Sequence, residues 1–133
     1  VSLHAATDAL RDRLVPLNRR YPLARLLETL RRHPLRTGKW ICFEYILLKG
    51  VNDSDGDAAA LGPLLAGLRA LVQIIPYNPI AGADFESPAE AETRSFAAKV
   101  RASGVPVAIR WSRGPDIDAA CGQLQAAAGN LRP

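Results

Sequence analysis

The clearest periodicity in the chain lies in its first third. Leu23, Leu26, Leu27 and Leu30 recur at the i, i+3, i+4, i+7 spacing that places four apolar side chains on one helix face. Pro22 suits the first helical position, Arg31, Arg32 and His33 suit the C-terminal end of the dipole, and Pro34 stops the helix. A shorter helix precedes it: Thr7 can cap its start, Leu10 and Leu14 share a face, and Pro16 ends it. Ahead of both, Val1-Ser2-Leu3-His4 reads as the tail of a strand.

Beyond residue 39 the pattern changes. Trp40 to Leu48 is apolar except for Glu44, and continuous rather than alternating apolarity predicts a strand covered on both faces. Lys49 to Asp55 is a polar turn, and Leu61, Leu64, Leu65 and Leu68 predict another helix, which Gly62-Pro63 should kink or delay. Leu71 to Ile75 predicts a second buried strand, followed by a loop from Pro76 to Glu86 that carries Tyr77-Asn78-Pro79. Ser87-Pro88-Ala89-Glu90 has the form of a capping box with proline at N1; Phe96 and Val100 give that helix its apolar face, and Gly104 stops it. Val107, Ile109 and Trp111 alternate in a last strand, where Pro106 is tolerable near the start. Asp116 can cap a closing helix that contains Cys121.

Strands alternating with helices predict an α/β fold with parallel strands and right-handed crossovers. Four such units are too few to close a barrel, so a half barrel or a small open sheet is expected. Nothing marks a linker or repeat, and residues 1–133 read as one domain.

Composition narrows the class. No apolar run approaches the roughly 18 residues of a membrane helix, and no secretory leader opens the chain. Two cysteines far apart suggest a reducing, cytoplasmic setting rather than a disulfide framework. A start at Val1 with no methionine anywhere suggests a fragment of a longer protein. The net charge of +4 is uneven: residues 1–40 hold nine Lys/Arg against Asp8, Asp12 and Glu28. A basic end of that kind suits a polyanion such as RNA, or equally an arginine-rich solvated surface.

The polar motifs fall where chemistry gathers in parallel α/β folds. Ser2-Leu3-His4, Gly50-Val51-Asn52, Tyr77-Asn78-Pro79 and Arg113-Gly114 each follow the C-terminal end of a predicted strand. Cys121 hangs off the last of these loops. A position near a helix N-terminus, with Arg113 upstream, favours its thiolate, and Gly122 leaves room beside the sulfur. The competing reading is an ordinary buried thiol.

These motifs, with Leu10-Arg11-Asp12, Leu14-Val15-Pro16, Phe43-Glu44-Tyr45, Gly50 to Asp53, Ile75 to Pro79 and Arg113 through Leu124, resemble the radical S-adenosylmethionine RNA adenine C2-methyltransferases. The resemblance runs from residue 1 to about residue 126 and is most specific over Asp116–Leu124. It implies the C-terminal half of a partial (β/α) barrel, acting on ribosomal RNA and transfer RNA, with a [4Fe-4S] cluster fed by an electron donor. It also implies that Ser2, Leu3, His4 and Asn78 line the S-adenosylmethionine pocket. Cys121 would be the cysteine that is S-methylated and passes the carbon on, because C2 of adenine is too electron-poor to attack a methyl sulfonium directly. The cofactor supplies the radical and the protein positions it.

The family's C-x3-C-x2-C cluster motif, its Gly-Glu segment, its resolving cysteine and its N-terminal RNA-binding domain have no counterpart here, so no residue of this chain is expected to ligate metal. Cys42 matches none of these positions and reads as a buried strand residue. The alternatives are a non-catalytic α/β RNA-binding module and half of a different radical enzyme.

Overall fold

The structure, a computed structural model, describes residues 1–111. The segment expected to form a closing helix, with Arg113-Gly114 and Cys121, lies outside those residues. In chain order the elements are α1 (Asp8–Leu14), a 3-10 turn (Pro16–Arg19), α2 (Leu23–Arg32), β1 (Ile41–Leu47), α3 (Asp55–Leu65), β2 (Ala70–Pro76), α4 (Glu90–Ala102) and β3 (Val107–Ile109).

The expected parallel α/β architecture is present. The sheet runs β1-β2-β3, all parallel, with Ile41 opposite Ala70 and Val72 opposite Val107. The N-terminal segment adds to the other edge of β1 through a parallel bridge between Ser2 and Glu44, with Leu3 N–H donating to Glu44 O at 2.9 Å and Glu44 N–H to Val1 O at 2.8 Å. The four extended segments therefore lie side by side in chain order, as successive staves of a barrel do.

One sheet face is closed by the helices. Phe43, Tyr45, Leu47, Val72 and Ile74 are fully buried in one cluster with Leu3, Leu27, Leu61, Phe96 and Val100, and the Tyr45 and Phe96 rings lie 5.5 Å apart. The other face is only half-buried. Cys42, Glu44 and Ile46 alternate with the buried residues of β1, as Leu71, Gln73 and Ile75 do on β2. The unbroken apolar run thus does not mean a strand covered on both sides, and Cys42 is not a core thiol: its Sγ lies 3.5 Å from Gln73 Oε1 on the half-buried face. Trp40 falls outside β1 and Trp111 outside β3, and both are substantially exposed.

Several helix boundaries differ from expectation for local reasons. Pro22 caps α2 rather than opening it, in extended backbone at ψ 162°, and Leu23 N–H donates to Asp8 Oδ1 at 2.9 Å. α3 starts undelayed at a capping box between Ser54 and Asp57, and Pro63 acts only at its other end, within a turn of the last residue. α4 begins after Pro88, because the Glu92 carboxylate reaches back to Ala89 N–H at 2.6 Å and makes Ala89 the cap. Gly104, at φ 98°, ends α4 as expected.

Gly62 has a packing role. A Cβ there would stand 2.1 Å from the backbone oxygen of Ser103, at the end of α4. The missing side chain is what allows α3 to approach that close.

Candidate functional site

At the C-terminal ends of the strands the chain spends its buried polar groups. The N–H groups of Leu3 and His4 both point to Glu44 O, which leaves the three carbonyls of Ser2-Leu3-His4 to be satisfied elsewhere. Arg11 on α1 takes two of them: its Nη2 donates to Ser2 O at 2.9 Å and its Nε to Leu3 O at 3.0 Å. The Asn52 amide takes the third, donating from Nδ2 to His4 O at 2.8 Å.

Each clamp is itself anchored. Arg11 Nη1 donates to Asn18 Oδ1 at 2.6 Å, and Asn18 Nδ2 donates to Asp8 and Asp12 at 2.9 and 2.7 Å. Burial lowers the Arg11 pKa while Asp8 and Asp12 oppose that shift, so the guanidinium keeps its charge. The hydrogen bond from Leu23 N–H, then that from Asn18, holds the Asp8 carboxyl below its usual range. Asn52 Nδ2 also donates to Ile46 O at 2.8 Å, its Oδ1 accepts from Leu48 N–H at 2.7 Å, and its own carbonyl accepts from Tyr45 Oη at 2.7 Å.

His4 sits at φ 59°, the one non-glycine residue in the left-handed region among those described. Its Nδ1 accepts from Ile46 N–H at 3.1 Å. An Nδ1 that accepts carries no proton, which assigns the proton to Nε2 and makes the free end of the ring a donor. Burial lowers the His4 pKa, Glu44 partly opposes that, and Arg11 and the α-amino group of Val1 reinforce it. The imidazole is held neutral.

Ser2, Glu44, Gln73 and Ala108 are successive cross-strand partners, so they form one row across the half-buried sheet face. The loop after β2 leans over the end of β1: Tyr77 N–H donates to Leu47 O at 3.0 Å and Lys49 N–H to Glu86 O at 3.0 Å. The Tyr77 ring packs edge-on against Phe85, and its buried hydroxyl has no hydrogen-bond partner among the described residues. Asn78, exposed, follows directly. Trp111, just beyond β3, has the Arg94 guanidinium 5.3 Å above its ring, and Tyr21 has Arg20 and Arg25 at 5.6 and 5.1 Å.

Of the residues singled out in the sequence, Ser2 is exposed and in register with Glu44 in the middle of β1, His4 is half-buried, and Asn78 is exposed just past the end of β2. Leu3 is wholly buried, with its side chain in the core and both backbone groups engaged, so it anchors the segment. Cys121 lies outside the described residues. Arg11 and Asn18 were not legible as site residues. Arg11 counted as one of nine basic surface charges, yet it is 6% exposed and cannot face a polyanion. The usable signal was Asp8 three positions before it and Asp12 directly after, more carboxylate than a solvated arginine needs.

Comparison with known proteins gives this rim a context. No protein-family profile matches the chain. It is 51% identical over 125 residues to a probable dual-specificity RNA methyltransferase RlmN from Moorella thermoacetica, covering 94% of this chain and 35% of that protein. It is 49% identical over 133 residues to the dual-specificity RNA methyltransferase RlmN of Methylorubrum populi, covering 99% and 31%. Among solved structures, a radical SAM methyltransferase from Sphaerobacter thermophilus superposes with a TM-score of 0.85 at 50% identity, covering 92% of this chain and 36% of that one. A domain of a pyruvate-formate lyase-activating enzyme from Bacteroides vulgatus shares the fold at a TM-score of 0.61 and 13% identity. The chain spans about a third of the length of the curated relatives it matches.

Proposed function

We propose that residues 1–133 are the C-terminal part of the barrel of a radical S-adenosylmethionine enzyme that methylates C2 of adenine in ribosomal and transfer RNA. The similarity to RNA methyltransferases over nearly the whole chain supports this reading. The observation that carries it is the rigidly held Ser2-Leu3-His4 segment, which leads toward the ligand-binding end of a parallel sheet.

The donor set fits S-adenosylmethionine. That molecule presents a carboxylate, an amino group, a ribose diol and an adenine, and this end of the sheet carries a serine hydroxyl, a neutral imidazole N–H and, after β2, the exposed Asn78. When bound, it supplies the methyl group and the radical chemistry. The chain's own residues do the holding: Ser2 and His4 from one segment, Asn78 from the next loop. Cys121 is the nucleophile that receives the carbon, by virtue of its thiolate. Arginine-backed Trp111 and Tyr21 are surfaces on which an unstacked base could rest.

The residues do not fit a [4Fe-4S] cluster. Among the described residues no three His, Cys, Asp or Glu side chains stand together as a metal site, and Cys42 is a single thiol on the sheet face. The cluster ligands, and the docking site of its electron donor, belong to other parts of the full-length protein. A cytoplasmic enzyme fits this chemistry, and no helix among the described residues is long and apolar enough to cross a membrane.

The test is direct. Full-length protein, reconstituted anaerobically with a reductant and S-adenosylmethionine, should convert unmethylated ribosomal and transfer RNA to products containing 2-methyladenosine, read by nucleoside mass spectrometry. Cys121→Ala should yield none. Absence of 2-methyladenosine from both RNAs, with Cys121 never carrying a methyl group, overturns the proposal.

A further inference from the structure

Four polar or charged side chains are buried among the described residues: Arg11 at 6% exposure, Asn18 at 1%, Asn52 at 0% and Thr93 at 0%. Three of the four belong to the clamp around Ser2-Leu3-His4. Burying a guanidinium is costly, and an apolar residue of similar volume would serve a core equally well or better. The geometry rewards a different task. Arg11 spans two consecutive carbonyls with two of its nitrogens, Asn52 holds the next carbonyl, and Asn18 fixes Arg11 from behind.

Holding His4 is the demanding part. A left-handed histidine is strained and persists only where its surroundings over-determine it. Here four bonds do so: Glu44 O accepts from its N–H at 3.4 Å, Asn52 Nδ2 donates to its carbonyl, Ile46 N–H donates to its ring, and Asn52 Nδ2 ties back to Ile46 O. Asn52 thus grips His4 through its carbonyl while its second bond fixes the strand residue that orients the imidazole.

We propose that Arg11 and Asn52 are positioning residues for the cofactor: they touch none of it, and they set its affinity by fixing the Ser2 hydroxyl and the His4 imidazole in the binding geometry. The inference rests on the S-adenosylmethionine reading given above. Preorganisation of this kind lowers the cost of ordering a site on binding.

The experiment uses full-length protein and equilibrium binding of S-adenosylmethionine to the unaltered protein and to variants. Asn52→Asp keeps the acceptor for Leu48 and loses both donors. It should weaken binding about tenfold in the parent and less than about twofold in a His4→Gly background, since misplacing an absent ring changes little. Arg11→Lys keeps the charge but cannot reach both carbonyls. It should behave likewise against Ser2→Ala, and it serves as the readout if Asn52→Asp does not unfold cooperatively. Equal factors in both backgrounds mean a merely structural role and overturn the inference, as does unchanged affinity in the single variants. An unaltered protein that binds no S-adenosylmethionine overturns this inference together with the functional reading on which it rests, whereas additive variants overturn the inference alone.

Discussion

The side-chain amide of Asn52 donates to the carbonyl of His4 at 2.8 Å, joining two residues 48 positions apart. That bond fixes the first rim segment to the turn after β1, and it does so from a residue with no exposed surface.

Removing that amide should be expensive. Asn52→Ala strands the carbonyls of His4 and Ile46 in a part-buried setting and the N–H of Leu48 in a buried one. A loss of about 3 kcal/mol is expected, measured as a shift in urea midpoint at constant slope. Asn52→Ser, which can keep one bond, should lose less.

Tyr45 tests the same node from beneath. Its hydroxyl donates to Asn52 O at 2.7 Å and it has no exposed surface. Tyr45→Phe should destabilise by about 1–2 kcal/mol, with the core packing kept. Burial first, then Asp57 and Asp53, pushes the phenol pKa well above the ordinary tyrosine range. Alkaline absorbance titration of the folded protein should therefore leave this phenol un-ionised, and Tyr45→Phe should leave the folded-state titration amplitude unchanged.

Gly62→Ala opposes two effects of known size. Alanine favours a helix over glycine by about 1 kcal/mol. The new Cβ would meet the Ser103 backbone oxygen at 2.1 Å, and backbone cannot rotate away. The clash should win, with a net loss of about 2 kcal/mol as α3 and α4 part. Thermal unfolding of the variant decides the sign.

The pH dependence follows from His4. Its folded pKa lies below the ordinary 6.5, chiefly through burial, so between the two values the unfolded chain binds the extra proton. Stability is therefore complete above about pH 6.5 and falls as pH drops toward the folded-state pKa, because the unfolded chain takes up a proton that the buried native imidazole does not. His4→Asn, which tolerates the left-handed backbone and does not titrate, should flatten that fall. Glu44, Arg11 and the Val1 amino group, the charged groups that face position 4, are present in both proteins, so the difference between the two pH profiles isolates the imidazole.

Much of the architecture was legible because it rests on local rules. The leucine spacing of α2, the Thr7 cap, whose side chain accepts from Leu10 N–H, and the left-handed Gly104 depend on neighbours a few residues away. That Ser2-Leu3-His4, Gly50-Val51-Asn52 and Tyr77-Asn78 each follow or approach the same end of the sheet was legible for a different reason, since it follows from parallel topology. The clamp was not legible. Arg11 shares a seven-residue helix with Leu10 and Leu14 and looks solvated until Asn18 and the Ser2 and Leu3 carbonyls are placed around it. The start of α4 failed for a smaller reason: two overlapping caps competed, and the one using Glu92 won over the one using Ser87.

The long reach of the Asn52–His4 bond has a kinetic corollary. Closing a loop of 48 residues costs about 3 kcal/mol of chain entropy before any bond repays it. Residues 2–4 gain no native shape from their own neighbours, since every one of their carbonyl partners is remote or sits on another element. They take that shape only once β1 and the turn after it are built, so this segment belongs to the late stages of folding and is among the first parts to open when the protein loosens. Hydrogen exchange should find the Leu3 and His4 amides protected less than those of Phe43 and Tyr45 at the sheet centre.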